Sequence, residues 1–300
     1  MGSMPEYCER MYAQERRDGQ DPRMLQSDGV RDSRWENNMT QLKDKVIWIT
    51  GASSGIGEAL AIQAAAQGAR LILSSRRAAE LERVKAMCAD AAKIAVLPVD
   101  LTHFDAIALT KQAAVFFGPV DVLVNNAGWS QRSLAVDTDM TVYRKLLELD
   151  FFAPVALTKA VLPGMISRKN GHVVMVGSVV SKFGAPLRTG YAAAKHALAG
   201  FTEGARAELW RDGIRFTLVC PGFVATQVSV NALDGHGAAH GKMDASTAKG
   251  MSASDCAARI WKAVDRNVEE TIIGKEAQLV HLKRFLPGLF SYAIKRAKTS

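Results

Sequence analysis

Val46-Ile47-Trp48-Ile49-Thr50-Gly51-Ala52-Ser53-Ser54-Gly55-Ile56-Gly57 is the stretch on which the fold of this chain turns. Four consecutive apolar residues are too few for a helix and suit a strand buried on both faces. Three glycines spaced Gly-x3-Gly-x-Gly follow, and glycine permits both a tight turn and close approach of the backbone to a ligand. Glu58 to Gln67 then reads as a helix. A glycine loop between a strand and a helix N-terminus offers free N–H groups and a partial positive charge, a setting that can cradle a pyrophosphate. By itself such a turn is also compatible with plain punctuation between two elements.

The same alternation continues downstream. Strands are expected at Leu71–Leu73, Ile94–Val99, Val120–Val124, His172–Val176, Ile214–Val219 and Thr271–Ile273, with helices at Ala78–Ala92, Phe104–Phe117, Thr141–Arg168, Tyr191–Arg211 and Ala253–Arg266. Pro163 and Gly164 predict a kink or break in the longest of these helices. Short apolar strands alternating with helices imply an α/β, doubly wound parallel sheet covered on both faces, in a single domain spanning residues 45–278. Residues 1–44 lack sustained apolar periodicity, so a poorly ordered N-terminal extension is expected there.

Composition is that of an ordinary globular protein, with 48% apolar and 23% charged residues. The net charge of +8 is uneven: residues 1–39 hold eight acids against six Lys and Arg, whereas residues 281–300 hold five Lys and Arg and no acid. Nothing resembles a nucleic-acid recognition helix. Cys8, Cys88, Cys220 and Cys256 stand far apart without a CxxC pair, which argues against zinc and against a disulfide framework and fits a reduced, cytoplasmic protein. No run of about eighteen apolar residues marks a membrane span. His236 and His240 have a metal-like spacing, but Gly235, Gly237 and Gly241 around them argue for a loop, and no metal is expected.

A second constellation carries chemistry. Tyr191 and Lys195 are four apart on one helix face. An ammonium beside a phenol favours the phenolate and would lower the tyrosine pKa, making it a usable acid or base. Ser178 ends the fifth strand, where an open α/β sheet places its ligand crevice. Each feature alone also has an ordinary structural explanation, a solvated ion-facing pair or a turn serine.

Together, Thr50–Gly57, Asn125-Asn126-Ala127-Gly128, Ser178, Tyr191-x3-Lys195 and Pro221-Gly222 resemble the short-chain dehydrogenase/reductase superfamily, in its order and over residues 45 to about 275. Phe151–Pro163, Ser229–Ala232 and Met243-Asp244 look like the branch around animal dehydrogenase/reductase member 7B. The resemblance implies a Rossmann-type fold and a hydride transfer between nicotinamide and a carbonyl or alcohol carbon. It makes Tyr191 the proton donor in reduction, Ser178 the group orienting the reacting oxygen, and Lys195 both the modulator of Tyr191 and a ligand of the nicotinamide ribose. It also implies that Gly51, Ser53, Ser54, Gly55, Ile56 and Gly57 surround the pyrophosphate and that Asp100 and Leu101 border the adenine. Asn126, Ala127 and Gly128 would line the adenosine ribose, and Pro221, Gly222, Val224 and Thr226 would face the nicotinamide.

Asp150 stands where many members of that family carry an asparagine. Its backbone carbonyl leaves that residue's water relay open, and its carboxylate is a candidate partner for Lys195 that would weaken the effect on Tyr191. Activity with an altered pH profile is expected. The end of the second strand, Ser74-Ser75-Arg76-Arg77, carries two arginines and no acid, so NADP(H) is favoured over NAD(H). Residues 223–250, rich in Gly, Ala and Ser, are expected to form a lid over a hydrophobic ketone, steroid or lipid-like substrate. The basic, amphipathic tail 279–300 has three candidate roles: contact with an anionic membrane, packing on a second subunit, or covering the substrate opening. A homodimer or homotetramer is the expected assembly. A cofactor-binding regulatory or scaffold protein without turnover is the alternative reading.

Overall fold

The computed structural model describes residues 42–297. Seven strands, β1 (Val46–Thr50), β2 (Arg70–Ser74), β3 (Ile94–Val96), β4 (Val122–Asn125), β5 (Gly171–Val176), β6 (Ile214–Pro221) and β7 (Glu270–Ile273), form one sheet. All pairings are parallel, in the order β3-β2-β1-β4-β5-β6-β7. The intervening helices are α1 (Gly55–Ala66), α2 (Ala78–Met87), α3 (Ala106–Phe117), α4 (Met140–Leu147), α5 (Ala153–Ser167), α6 (Thr189–Leu209), the single turn α7 (Ala245–Ala248) and α8 (Ala253–Asp265). Two further helices, α9 (Ala277–Phe285) and α10 (Pro287–Lys295), close the described chain.

Because strand side chains alternate, β1 and its neighbours divide their apolar residues between two cores. Ile47, Ile49, Leu71, Leu73 and Val124 share one core with Leu60 and Ala64 of α1 and Ile260 and Val264 of α8. Trp48, Ile72, Leu123, Met175 and Phe216 share the other with Ala113, Leu157 and Leu198 of α3, α5 and α6. The buried Trp48 indole donates to Ser74 Oγ at 2.9 Å, so its one polar group is satisfied. The order reverses between β1 and β4, and the crevice outside their carboxyl ends is where such a sheet takes a ligand.

Several boundaries differ from the expectation. Leu42 is buried in the first core, so the folded region begins before Lys45; the rest of the expected N-terminal extension, residues 1–41, lies outside the described residues, as do 298–300 of the tail. Helix α2 stops at Met87, and a single turn at Ala91–Lys93 leads into a three-residue β3. Helix α5 runs through Pro163 instead of breaking. Pro163 is exposed, as is Lys159 one turn earlier, so the carbonyl that loses its donor can reach water. The irregularity falls earlier: Glu148–Phe152 between α4 and α5 is a π-helical turn. The helical stretch Met140–Ser167 is long and apolar enough to cross a membrane by composition, but Leu146, Leu157 and Met165 are wholly buried in the protein, as a core helix requires.

Candidate active site

A cleft of about 510 Å3 runs along the carboxyl ends of β1 to β6. Every residue assigned to it from sequence lines it except Gly57 and Asp150. Gly57 lies behind the turn, where a side-chain carbon would strike the Gly51 carbonyl oxygen. Gly51 and Gly55 have φ of 65° and 60°, a backbone region that other residues rarely adopt. A carbon added at Gly51 would also come within 2.9 Å of Ala127 Cα and Asn126 Nδ2. The glycines therefore set a tight turn against the β4 end and leave its outer side open, a cradle that fits a pyrophosphate.

Thr50 makes this junction rigid. Its hydroxyl donates to the Val124 carbonyl at 3.2 Å and accepts from the backbone N–H groups of Asn126 (3.0 Å) and Ala127 (3.1 Å). Asn126 returns its amide to the Thr50 and Gly51 carbonyls, at 3.0 and 3.3 Å. Its side chain is thus committed to bracing the glycine turn, and only the rest of the residue is left to line a ribose pocket, a narrower part than expected.

At the far end, Arg77 donates to Ser53 Oγ at 3.0 Å and Ser54 Oγ at 2.9 Å. Ser54 stands at the N-cap of α1 but makes no capping bond with its side chain, so its hydroxyl does not compete for the first-turn N–H groups. Arg76 lies over the Trp129 ring, 5.0 Å from its centroid. Burial alone would raise the Asp100 pKa, but hydrogen bonds from Thr102 and the charge of Arg76 hold it below its usual range.

Ser178, Tyr191 and Lys195 converge at the other end. Ser178 caps the turn Val179–Ser181, and its hydroxyl lies beside the Tyr191 phenol and donates to the Pro221 carbonyl at 3.4 Å. Gln131, which the sequence reading passed over, orients this side: its Oε1 accepts from the Gly190 N–H at 2.7 Å and fixes the start of α6. Lys195 is 4% exposed, donates to the Val176 carbonyl at 3.0 Å and lies 5.8 Å from the Tyr191 ring centroid. The expected lowering of the tyrosine pKa does not prevail. Burial of the phenol pushes it above its usual value, and the charge of Lys195 with the Ser178 hydrogen bond only offsets part of that rise.

Asp150 corrects a second expectation. The π-helical turn directs it inward, wholly buried, where Oδ1 accepts from the Trp129 N–H at 2.9 Å and Oδ2 has no partner. No ion pair within 4.0 Å joins it to Lys195, whose ammonium is held by Val176 instead. Gly128 separates them: a side-chain carbon there would lie 2.5 Å from Asp150 Oδ1 and 3.4 Å from Lys195 Nζ. Burial raises the Asp150 pKa to about 6, against the opposing pull of Lys195 and the Trp129 hydrogen bond.

The pH consequence has a definite sign. Folded protein retains the Asp150 proton up to about pH 6, whereas an unfolded aspartate releases it near ~4. The stability from this proton is present below about pH 4 and is lost as pH rises through about 6, on the order of 3 kcal/mol for the full interval. Asp150→Asn removes the titration, so the melting temperature of wild type relative to this variant is expected to fall between pH 4 and 6.5. Thermal melts across that range check it; a difference independent of pH would show that the carboxyl titrates normally.

Three charged residues absent from the sequence reading of the site form a buried cluster beside it. Arg132 donates to Asp244 Oδ2 at 2.8 Å through Nε, and Arg188 Nη2 reaches the same oxygen at 3.3 Å. Their side chains are 6%, 8% and 3% exposed for Arg132, Arg188 and Asp244. Burial and the neighbouring Arg132 lower the Arg188 pKa to about 10 despite Asp244. Asp244 belongs to the segment 223–250, of which Val224, Thr226, Gln227, Val228, Asn231, Leu233 and Ala239 line the cleft. His236 meets Asp139 at 3.1 Å, and no His, Cys, Asp and Glu group suited to a metal occurs among the described residues.

The family model for short chain dehydrogenases matches residues 45–236. The chain is 42% identical to dehydrogenase/reductase SDR family member 7 of Homo sapiens, over 82% of this chain and 76% of that one. It is 37% identical to member 7B of Mus musculus, over 83% and 80%. The chain belongs to the short-chain dehydrogenase/reductase family. Among solved structures, it is similar to a metagenomic short-chain oxidoreductase in complex with NADP, at 27% identity and TM-score 0.64, over 78% of this chain and 98% of that one. A short-chain dehydrogenase/reductase from Burkholderia phymatum in complex with NAD has TM-score 0.75 at 23% identity, over 87% and 99%, a likeness of fold. Membership makes this protein a nicotinamide-dependent oxidoreductase acting on CH–OH or C=O groups of a small-molecule substrate.

Proposed function

We propose that this dehydrogenase/reductase prefers NADP(H) and interconverts an apolar ketone or aldehyde with its alcohol. The observation that carries the cofactor preference is Arg77, anchored to Ser53 and Ser54 where the glycine turn meets the end of β2, with no acid in Ser74–Arg77. A guanidinium at that corner suits a ribose 2′-phosphate, and an acid would suit a free 2′-hydroxyl. The glycine turn would hold the pyrophosphate, and Lys195 and Tyr191 the nicotinamide ribose. When bound, the nicotinamide supplies or accepts the hydride.

The protein's own groups handle orientation and the proton. The Ser178 hydroxyl donates to the substrate oxygen and holds it beside Tyr191. The phenol, kept protonated by burial, gives its proton to that oxygen in reduction and takes it back in oxidation. The ammonium of Lys195 stabilises the phenolate left behind. Trp129, Val224, Val228 and Leu233 line the cleft and support an apolar substrate.

Fluorescence titration with NADPH and NADH tests the preference. Wild type is expected to bind NADPH more tightly. Arg77→Ala should weaken NADPH by about 10-fold or more, the scale of a lost charge-assisted hydrogen bond, and leave NADH within about 3-fold. Arg76→Ala, which loses a stacking contact on Trp129, should have a smaller effect. Equal binding of both nucleotides by wild type would overturn the NADP(H) assignment.

A further inference from the structure

Helices α9 and α10 form a hairpin whose two sides differ. Its inner side, Phe290 with Leu279, Val280, Leu282 and Ile294, packs on Val179, Val180 and Phe183. Phe183 and Phe290 meet edge to face at 5.4 Å between centroids. On the other side, Phe285, Leu286, Leu289 and Tyr292 are 70%, 55%, 54% and 59% exposed. Single exposed apolar residues are ordinary, but four within eight positions are a patch that calls for an occupant.

Charge identifies the occupant. Arg284 stacks beside Phe285 and Arg296 over Tyr292, and Lys295 is exposed. From Ala277 to Ser300 there is no acidic residue. Protein–protein interfaces also favour aromatic residues and Arg, so the deciding feature is that every charged side chain on this segment is positive. Aromatic and aliphatic side chains framed by cations of one sign are the composition that enters the headgroup boundary of a bilayer, the apolar groups seated among acyl chains and the cations on phosphates.

We propose that the exposed side of the hairpin between Arg284 and Arg296 docks the protein on an anionic lipid bilayer. The inner side of the hairpin rests on the turn that follows Ser178, in an apolar cluster that Tyr191 also joins, so docking holds the substrate end of the cleft close to the membrane. An apolar substrate dissolved in lipid then has a short path to the site. The surface proposal goes beyond the oxidoreductase reading and does not depend on it.

Sedimentation of the full chain with vesicles tests it, using phosphatidylcholine alone and phosphatidylcholine mixed with phosphatidylserine. Wild type is expected to half-bind at about 10-fold or more lower lipid concentration on the anionic vesicles, as roughly 1 kcal/mol per basic residue near the surface implies. Two variants should each lose most of that binding: Phe285→Ser/Leu289→Ser/Tyr292→Ser, and Arg284→Gln/Lys295→Gln/Arg296→Gln. The second leaves every apolar contact in place, so it decides the matter if the first misfolds. Equal binding of wild type to both vesicle types, or wild-type binding by the charge variant, overturns the proposal. So does a wild type that ignores vesicles but self-associates in light scattering through the same residues, since a second copy is then the occupant. NADPH titration of the same samples separates this result from the cofactor reading.

Discussion

Tyr191→Phe is expected to lower kcat/KM by about 10²- to 10⁴-fold, the usual contribution of a positioned general acid or base, while weakening NADPH binding by no more than about 10-fold, the scale of one lost hydrogen bond to the ribose. The substitution keeps the ring, which joins the apolar cluster of Val179, Val180 and Phe290, and removes only the hydroxyl beside Ser178. The pH dependence adds a second sign. Burial holds the phenol above its ordinary pKa, so the reduction, which needs the protonated form, should stay level through neutral pH. The oxidation, which needs the phenolate, should rise steadily toward alkaline pH. Steady-state rates in both directions on wild type and Tyr191→Phe check this. Near wild-type turnover by the variant would remove Tyr191 from the proton-transfer role; absence of turnover by wild type itself would return the chain to the scaffold reading.

Asp244→Ala is expected to cost about 3–5 kcal/mol, because it leaves the Arg132 and Arg188 guanidiniums buried together without their shared carboxylate. For a protein of this size that is a loss of roughly 10 °C in Tm. Asp244→Asn, which keeps an acceptor but not the charge, should lie between the two. The damage should extend to the site, since Arg188 sits immediately before α6 and Asp244 in the segment that lines the cleft. Thermal melts with and without NADPH measure the effect; a loss under about 1 kcal/mol would mean that the three charges are solvated rather than interlocked.

The parts legible before the structure were those whose information is local. The apolar run Val46–Ile49 and its glycine turn announce a strand-to-helix cradle because strand burial and left-handed backbone are properties of consecutive residues. The Tyr191–Lys195 spacing is likewise a property of one helix. The hairpin of α9 and α10 was legible only as composition; which of its faces is covered depended on Val179, Val180 and Phe183, about a hundred residues away. Gln131 offered no signal at all, since a lone glutamine in a loop becomes meaningful only when Gly190 is placed against it.

By itself, the sequence determined the alternating α/β order, the glycine turn at the end of β1, the Ser178–Tyr191–Lys195 set and the two arginines after β2, all carried by short-range pattern. The tertiary structure decided what acts across that order. It gave Arg77 rather than Arg76 the contact with Ser53 and Ser54, gave Asp150 the Trp129 N–H as its hydrogen-bond partner rather than Lys195, and joined Arg132, Arg188 and Asp244 into one buried cluster. The physical reason is the same in each case. Whether a charge is paired, buried or screened depends on what the fold brings within a few ångströms of it, and desolvation, which raises both Tyr191 and Asp150, exists only once the chain has closed around them.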